Sequence, residues 1–345
     1  MKRITFYFLL LTLLLSACSP KPAEPQTITV MTHDSFAIGE DVIKAFEAEN
    51  NAKVSFIQSG DAGAMLNQAI LTKNAPIADV IFGVDNTFLS RALESDIFEA
   101  YQSSELTNIA DEFKLDPSNR ALPVDYGDVC INYDKAYFTE NNLAVPQSFE
   151  DLAKPEYKGV LVVEDPATSS PGLAFLLATR AHFGDGYLDY WKSLKANGTV
   201  VVDGWETAYY TNFSASSGKG PQPMVVSYAS SPAAEVFFAS EPLTDSPTAS
   251  IVASGMCFRQ IEFVGILKNG KNRDLAQKFV DFMLSQQFQE DMPLNMFVYP
   301  VNKNAQLPEV FTNFAQVAER PAVFSYSEIA SNRDAWIEAW TEAMK

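Results

Sequence analysis

Two short stretches, Thr168-Ser169-Ser170-Pro171-Gly172 and Ser227-Tyr228-Ala229-Ser230-Ser231-Pro232-Ala233, begin a helix in the same way. In each, a serine at the capping position precedes a proline, the residue that needs no backbone donor in a first helical turn. Such a terminus leaves N–H groups unpaired at the positive end of the helix dipole, so it can hold an anion or a polar ligand group. One Ser-Ser-Pro is an ordinary cap. Two of them, with Trp205 between and Tyr228 just ahead of the second, outline the wall of a ligand pocket. Asp61, in Gly60-Asp61-Ala62-Gly63, adds a carboxylate at another helix start; that segment lacks the lysine of a phosphate-binding P-loop. Aromatic faces hold a flat cation by about 0.5–2 kcal/mol per contact, and a nearby carboxylate adds charge selectivity.

Catalytic and metal chemistry find less support. The chain has two histidines. His182 falls late in a helical run, and His33 follows the first strand in Thr32-His33-Asp34-Ser35-Phe36, a loop where a cleft residue would lie. No Gly-x-Ser-x-Gly elbow offers a nucleophile to a triad. No His-Glu-x-x-His, paired Cys-x-x-Cys or calcium-loop spacing is present, so no metal site is expected. Tyr209-Tyr210 could ligate iron, but the pair falls in an amphipathic helix directly after Trp205, which favours packing in the core and pocket.

The elements that must position these residues alternate. Thr27 to Met31, Val54 to Gln58 and Ala78 to Phe82 read as strands, separated by helices over Ile38 to Glu49 and Asp61 to Asn74. That order predicts a parallel α/β sheet. Leu122 to Tyr133 and Cys257 to Leu267 are extended runs too long for ordinary strands. They enclose a second α/β block with strands at Val160 to Val163, Gly198 to Val202 and Met224 to Tyr228. Its helices are expected over Gly172 to Phe183 and Glu206 to Phe213. A chain that leaves one lobe and later returns gives two α/β lobes joined by two hinge strands, with a ligand cleft between them. Helices over Arg273 to Gln287 and Ile329 to Met344 close the chain. The boundaries follow: residues 27–126 with 259–345 as the first lobe and 127–258 as the second.

Residues 1–17 read as an export signal, with Lys2 and Arg3 ahead of an apolar run too short to span a bilayer. It ends in Leu15-Ser16-Ala17-Cys18, which looks like a bacterial lipobox that would acylate Cys18. Residues 18–26, with Pro20, Pro22 and Pro25, then form a tether. The formal charge is −18, and removing Lys2 and Arg3 makes it more negative. Such a chain repels nucleic acid and suits a cationic small molecule. The two other cysteines, Cys130 and Cys257, are most simply a disulfide in an exported protein, two buried free thiols being the alternative.

The chain resembles the substrate-binding proteins of thiamine ATP-binding cassette transporters. The resemblance is carried by Thr32-His33-Asp34-Ser35-Phe36, by Ala78-Asp79-Val80-Ile81-Phe82-Gly83-Val84-Asp85-Asn86 and by Val124-Asp125-Tyr126-Gly127. It continues through Glu164-Asp165-Pro166-Ala167-Thr168-Ser169-Ser170-Pro171-Gly172-Leu173, Gly204-Trp205, the second Ser-Ser-Pro segment and Tyr299-Pro300-Val301. It implies the type II periplasmic-binding-protein fold, closing on thiamine or its phosphate esters without a cofactor. The protein would be a lipid-anchored, extracytoplasmic monomer that hands its cargo to a membrane permease. Asp61 and Ala62 would meet the aminopyrimidine end, and Trp205 and Tyr228 the rings. Ser169, Ser170, Ala229, Ser230 and Ser231 would surround the hydroxyethyl or phosphate end. Four places depart from the family pattern: His33 replaces a tyrosine, Ala234 an aromatic residue and Phe297 a tryptophan, and the Phe36 to Asp41 loop lacks a further tryptophan. Within the same fold, the rival ligands are ferric ion, a polyamine or another organic cation. An exported thiamine-degrading enzyme is the alternative of another class.

Overall fold

The computed structural model describes residues 24–215 and 219–345. The signal segment, Cys18 and most of the tether lie outside the described residues. Among those described, no helix is long and apolar enough to cross a membrane.

Three parallel strands begin the fold: β1 (Gln26–Thr32), β2 (Ala52–Gln58) and β3 (Val80–Asp85). β1 pairs in parallel with both of the others. A two-residue strand, β4 (Phe98–Glu99), follows. The first overlong run is β5 (Leu122–Asp134), a single strand of 13 residues. Beyond it come β6 (Leu161–Glu164), β7 (Val200–Val202), β8 (Met224–Tyr228) and β9 (Thr248–Ile251). The second overlong run is β10 (Phe258–Leu267), followed by the short β11 (Tyr299–Pro300). The main strand order is β2-β1-β3-β10-β5-β8-β6-β7.

β5 and β10 pair antiparallel from Phe258↔Val129 to Val264↔Leu122. β10 carries the β3 side of the sheet and β5 the β8 side. Two α/β halves therefore meet along one pair of crossing strands. Each half has its own aromatic core. In the first, Phe46 packs against Phe279 and Phe282 at ring distances of 5.1 and 5.0 Å. In the second, the buried Trp191 lies edge-on to Phe175 and donates Nε1–H to the Thr179 hydroxyl at 2.9 Å. Burying such a ring is worth roughly 3 kcal/mol only when its polar N–H keeps a partner, which Thr179 supplies.

Two helical expectations are revised. The run from Arg273 is two helices, Arg273–Leu284 and Gln286–Asn295, because the Ser285 side chain caps the second. Thr207–Asn212 is a π-helix, closed by Phe213 N–H donating to the carbonyl of Ala208, five residues back, at 2.9 Å. The tail also contacts more than the first half. Helix Glu309–Phe314 packs on Ser231–Phe237, and the last helix, Tyr326–Met344, touches both Tyr187–Ala196 and Leu89–Glu94. Trp340 meets Trp191 edge-on at 5.4 Å.

Cys130 and Cys257 are joined by a disulfide with Cα atoms 4.4 Å apart. They sit next to the Val129↔Phe258 pair, so the bond ties the two crossing strands together at their second-half end.

Candidate functional site

A cavity of about 600 Å³ lies where the two halves meet. Of the residues singled out from the sequence, His33, Asp61, Ala62, Ser170, Trp205, Tyr228, Ser231 and Phe297 line it. Ser169, Ala229 and Ser230 do not. Ser169 is buried beneath the first Ser-Ser-Pro helix, accepting from Gly172 N–H at 3.5 Å. Ala229 is buried beside the disulfide.

Asp61 is the centre of the arrangement. It caps the helix Ala62–Leu71, its Oδ1 accepting from Ala62 N–H at 2.6 Å. The same oxygen faces Ser170 N–H at 3.4 Å, and Oδ2 accepts from Trp205 N–H at 3.1 Å. One carboxylate of the first half thus occupies the positive end of the first Ser-Ser-Pro helix, Ser170–Phe183, in the second half. That helix start is already satisfied from within the protein. The second helix, Ser231–Phe237, corrects another expectation. Ser230 occupies its cap position but makes no side-chain cap; its hydroxyl donates instead to the Phe297 carbonyl. Phe297 itself adopts a left-handed backbone (φ 54°), strained for a bulky residue, and this bond helps hold it.

The aromatic wall is fuller than the sequence suggested. Trp205 stacks on Tyr209 at 5.0 Å with ring planes 20° apart, and meets Tyr210 edge-on at 5.4 Å. Its indole Nε1–H donates to the Ser227 hydroxyl at 2.9 Å, and Ser227 bonds to Ser231. Tyr228 OH donates to Gln260 on β10 at 3.1 Å, across the crossing strands. Gly127 makes room for that ring, since a Cβ there would lie 2.8 Å from Tyr228 Cδ1. Ala234 stands where the resemblance implies an aromatic residue, and Phe238, one turn later on the same face, also lines the cavity. Tyr209 and Tyr210 line the cavity, as their place after Trp205 led one to expect, whereas Phe238 and Gln260 were not foreseen as lining residues.

Carboxylates dominate the charge: Asp34, Asp61, Glu206, Glu235 and Glu262 line the cavity. Burial pushes the carboxyl of each upward from its ordinary value. Behind them, Asp125 faces Glu262 across the β5–β10 pair, and burial drives both upward. His33 Nε2 lies 3.5 Å from Glu262 Oε1, yet burial lowers the imidazole to about 4, so at neutral pH the pair is uncharged on the histidine side. Gly83, at φ 103°, lets His33 sit there: a Cβ would come within 2.3 Å of its ring.

Asp85, at the end of β3, is pushed by burial to about 7 although Thr87 and Phe88 N–H groups bond its Oδ1. Its folded form therefore binds a proton that the unfolded chain releases near 3.8. That contribution to stability declines as pH rises toward and through about 7. His33 works oppositely, but only between about 4 and 6.5. Above that window the buried carboxyls act alone, Asp85 together with Asp125 and Glu262. The melting temperature is expected to fall from pH 6.5 to pH 8, and Asp85→Asn to flatten the fall. Equal slopes in the two proteins, measured by scanning calorimetry, would contradict this assignment.

A family model for bacterial extracellular solute-binding proteins matches residues 75–313. The chain belongs to this family. It is 32% identical to the thiamine-binding periplasmic protein of Salmonella typhimurium over 97% of this chain and 98% of that one. The corresponding Escherichia coli protein is likewise 32% identical, over 97% and 98%. A solved periplasmic thiamin binding protein superposes with a TM-score of 0.83 at 30% identity, covering 94% of this chain and 98% of that chain. The two α/β halves and their crossing strands are thus the two-lobed periplasmic-binding architecture expected from the sequence, with the acidic, aromatic cavity in its cleft.

Proposed function

We propose that the protein is the extracytoplasmic solute-binding component of an ABC importer, closing on thiamine or a thiamine phosphate and delivering it to the permease. The observation that carries this reading is the cleft itself: Asp61 bonded across the lobes, next to the stacked Trp205 and Tyr209. A flat ring system bearing a cationic thiazolium suits stacked aromatic faces and a carboxylate together. The relatives named for thiamine binding, similar over nearly the whole chain, support the same ligand. Binding needs no cofactor and no turnover.

Ferric ion fits less well. The Tyr209 hydroxyl donates to Glu235 at 2.6 Å, and burial pushes both Tyr209 and Tyr210 upward, away from the phenolate that iron would need. Titration with thiamine is expected to quench the fluorescence of Trp205, and Trp205→Phe to remove most of the change. A charge-transfer colour on adding ferric ion, with no response to thiamine, would favour iron instead.

The lobes in this reading are residues 27–126 with 259–345, and 127–258. The segment after Pro308 is better counted with the second lobe, because helix Glu309–Phe314 packs on Ser231–Phe237. Closure would bend β5 near Asp125 to Gly127 and β10 near Phe258 to Gln260. Acylation at Cys18 would anchor this monomer to the membrane, leaving the body extracytoplasmic; membrane association that survives Cys18→Ala would refute the anchor.

A further inference from the structure

We propose that Glu262 is the residue through which the cleft exchanges a proton for a cation: in the empty cleft the row Asp85, Glu262, Asp125 holds a proton, which leaves to solvent when a cationic ligand enters. This rests on the thiamine reading for its ligand and adds to it a binding residue and a proton stoichiometry.

The sheet itself builds the row. Glu262 on β10 is in register with Asp85 on β3 and with Asp125 on β5. Residues directly opposite on neighbouring strands share a face, with Cβ atoms about 4.5–5.5 Å apart. Three carboxyls therefore stand side by side on one face of three adjacent strands. Asp85 and Asp125 are wholly buried and Glu262 is 5% exposed. Glu262 alone of the three lines the cavity.

Positive charge is scarce around the row. No lysine or arginine is among the described residues that line the cavity, whereas Asp34, Glu206 and Glu235 add charge of the same sign. Both Asp125 oxygens and Asp85 Oδ2 are buried without a hydrogen-bond partner. Asp61, at the start of Ala62–Leu71, faces Glu262 with a further carboxyl. Tyr228, on β8, faces all four carboxyls, with its hydroxyl donating to Gln260. His33, on the loop after β1, brings Nε2 to 3.5 Å from Glu262 but is neutral, because burial lowers its imidazole to about 4. The helix Ser170–Phe183 offers Asp85 only the Ser170 hydroxyl. Arg333, on the last helix, acts on Asp85, yet it lies over the Phe88 ring at 5.1 Å and pairs with Asp334. Arg259, on the opposite face of β10, is paired with Asp128 at 2.9 Å.

Three carboxylates this close in a dry site repel strongly, so the row keeps a proton near neutral pH. Burial pushes all three upward in the same sense. A thiazolium carries a fixed positive charge. Seated beside Glu262, it offsets the negative charge that the proton had offset. The carboxyl O–H bond breaks, its proton passes to solvent, and the carboxylate remains as the counter-ion. One charge enters and one leaves, so the buried site stays balanced.

The test is calorimetric titration of the purified protein with thiamine in buffers of low and high ionisation enthalpy, repeated from pH 6 to pH 8. The dependence of the heat on the buffer should report about one proton released per thiamine, and affinity should rise with pH by up to about tenfold per unit. Glu262→Gln should abolish the release and flatten the pH dependence, while Glu262→Asp should keep both. Asp125→Asn, which lets Glu262 ionise before the ligand arrives, should also reduce the release, and it carries the comparison if Glu262→Gln binds too weakly to titrate. Thiamine binding without proton release in the wild type, or release unchanged in these two amide variants, overturns the inference and leaves the thiamine reading standing. A protein that binds no thiamine at any pH overturns both.

Discussion

Asp61→Ala is expected to weaken thiamine binding by roughly 30- to 1,000-fold, the range set by losing about 2–4 kcal/mol when one member of a buried charged contact is removed. Two losses combine. The variant removes the carboxylate beside the stacked Trp205 and Tyr209, and it removes the acceptor that Trp205 N–H finds across the cleft at 3.1 Å. The start of the Ser170–Phe183 helix loses its counter-charge at the same time. A ligand can close the lobes only through contacts it gains in the closed form, and Asp61 supplies such contacts to both sides. Asp61→Asn separates the terms: the amide oxygen can still accept one backbone N–H, while the charge is gone. It should fall between the wild type and the alanine variant. An alanine variant that binds thiamine within about threefold of wild type would show that Asp61 only caps a helix, since a cap alone acts on folding at about 1 kcal/mol.

The second large effect concerns stability. The Cys130–Cys257 bond closes a loop with a sequence separation of 127 and lies wholly buried against Ala229 and Ala318. Chain-entropy reasoning gives about 5 kcal/mol as an upper figure for a loop this long, and about 2–4 kcal/mol is typical. The Cys130→Ala/Cys257→Ala double variant should therefore melt roughly 5–15 °C lower than the oxidised protein. Reductant should lower the wild type similarly and leave the variant unmoved. Affinity for the ligand is expected to change little at 25 °C, because the bond lies at the second-half end of the crossing strands and neither its cysteines nor the Ala229 and Ala318 packed against them line the cavity. Equal melting temperatures in the oxidised, reduced and double-alanine proteins would contradict this account.

The elements that local pattern controls were legible in the sequence. The short apolar run at Ala78 to Phe82 and the two overlong runs could be nothing but buried and crossing strands, and β3, β5 and β10 lie there. Asp61 was legible as a helix start because capping is a local matter. What failed did so through partners distant in the chain. Ser230 has the sequence of a cap, but a carbonyl 67 residues away outcompetes its own helix for the hydroxyl. Ser169 and Ala229 belong to the motifs that mark the site, yet they support the wall from behind. Tyr209 and Tyr210 were legible as pocket residues from their place after Trp205, but the π-helix at Thr207–Asn212 that carries them was not, since its 2.9 Å bond from Phe213 N–H to the Ala208 carbonyl has no signature in a 3.6-residue period. The carboxylates Glu206, Glu235 and Glu262 were invisible as a group, because three separate segments contribute one each. Only the folded sheet brings them together.

Calorimetric titration of the purified protein with thiamine tests the central claim most directly. Saturable one-to-one binding with a raised melting temperature is the predicted result, and both signals should collapse in Asp61→Ala. No heat and no thermal shift at high-micromolar thiamine would contradict it.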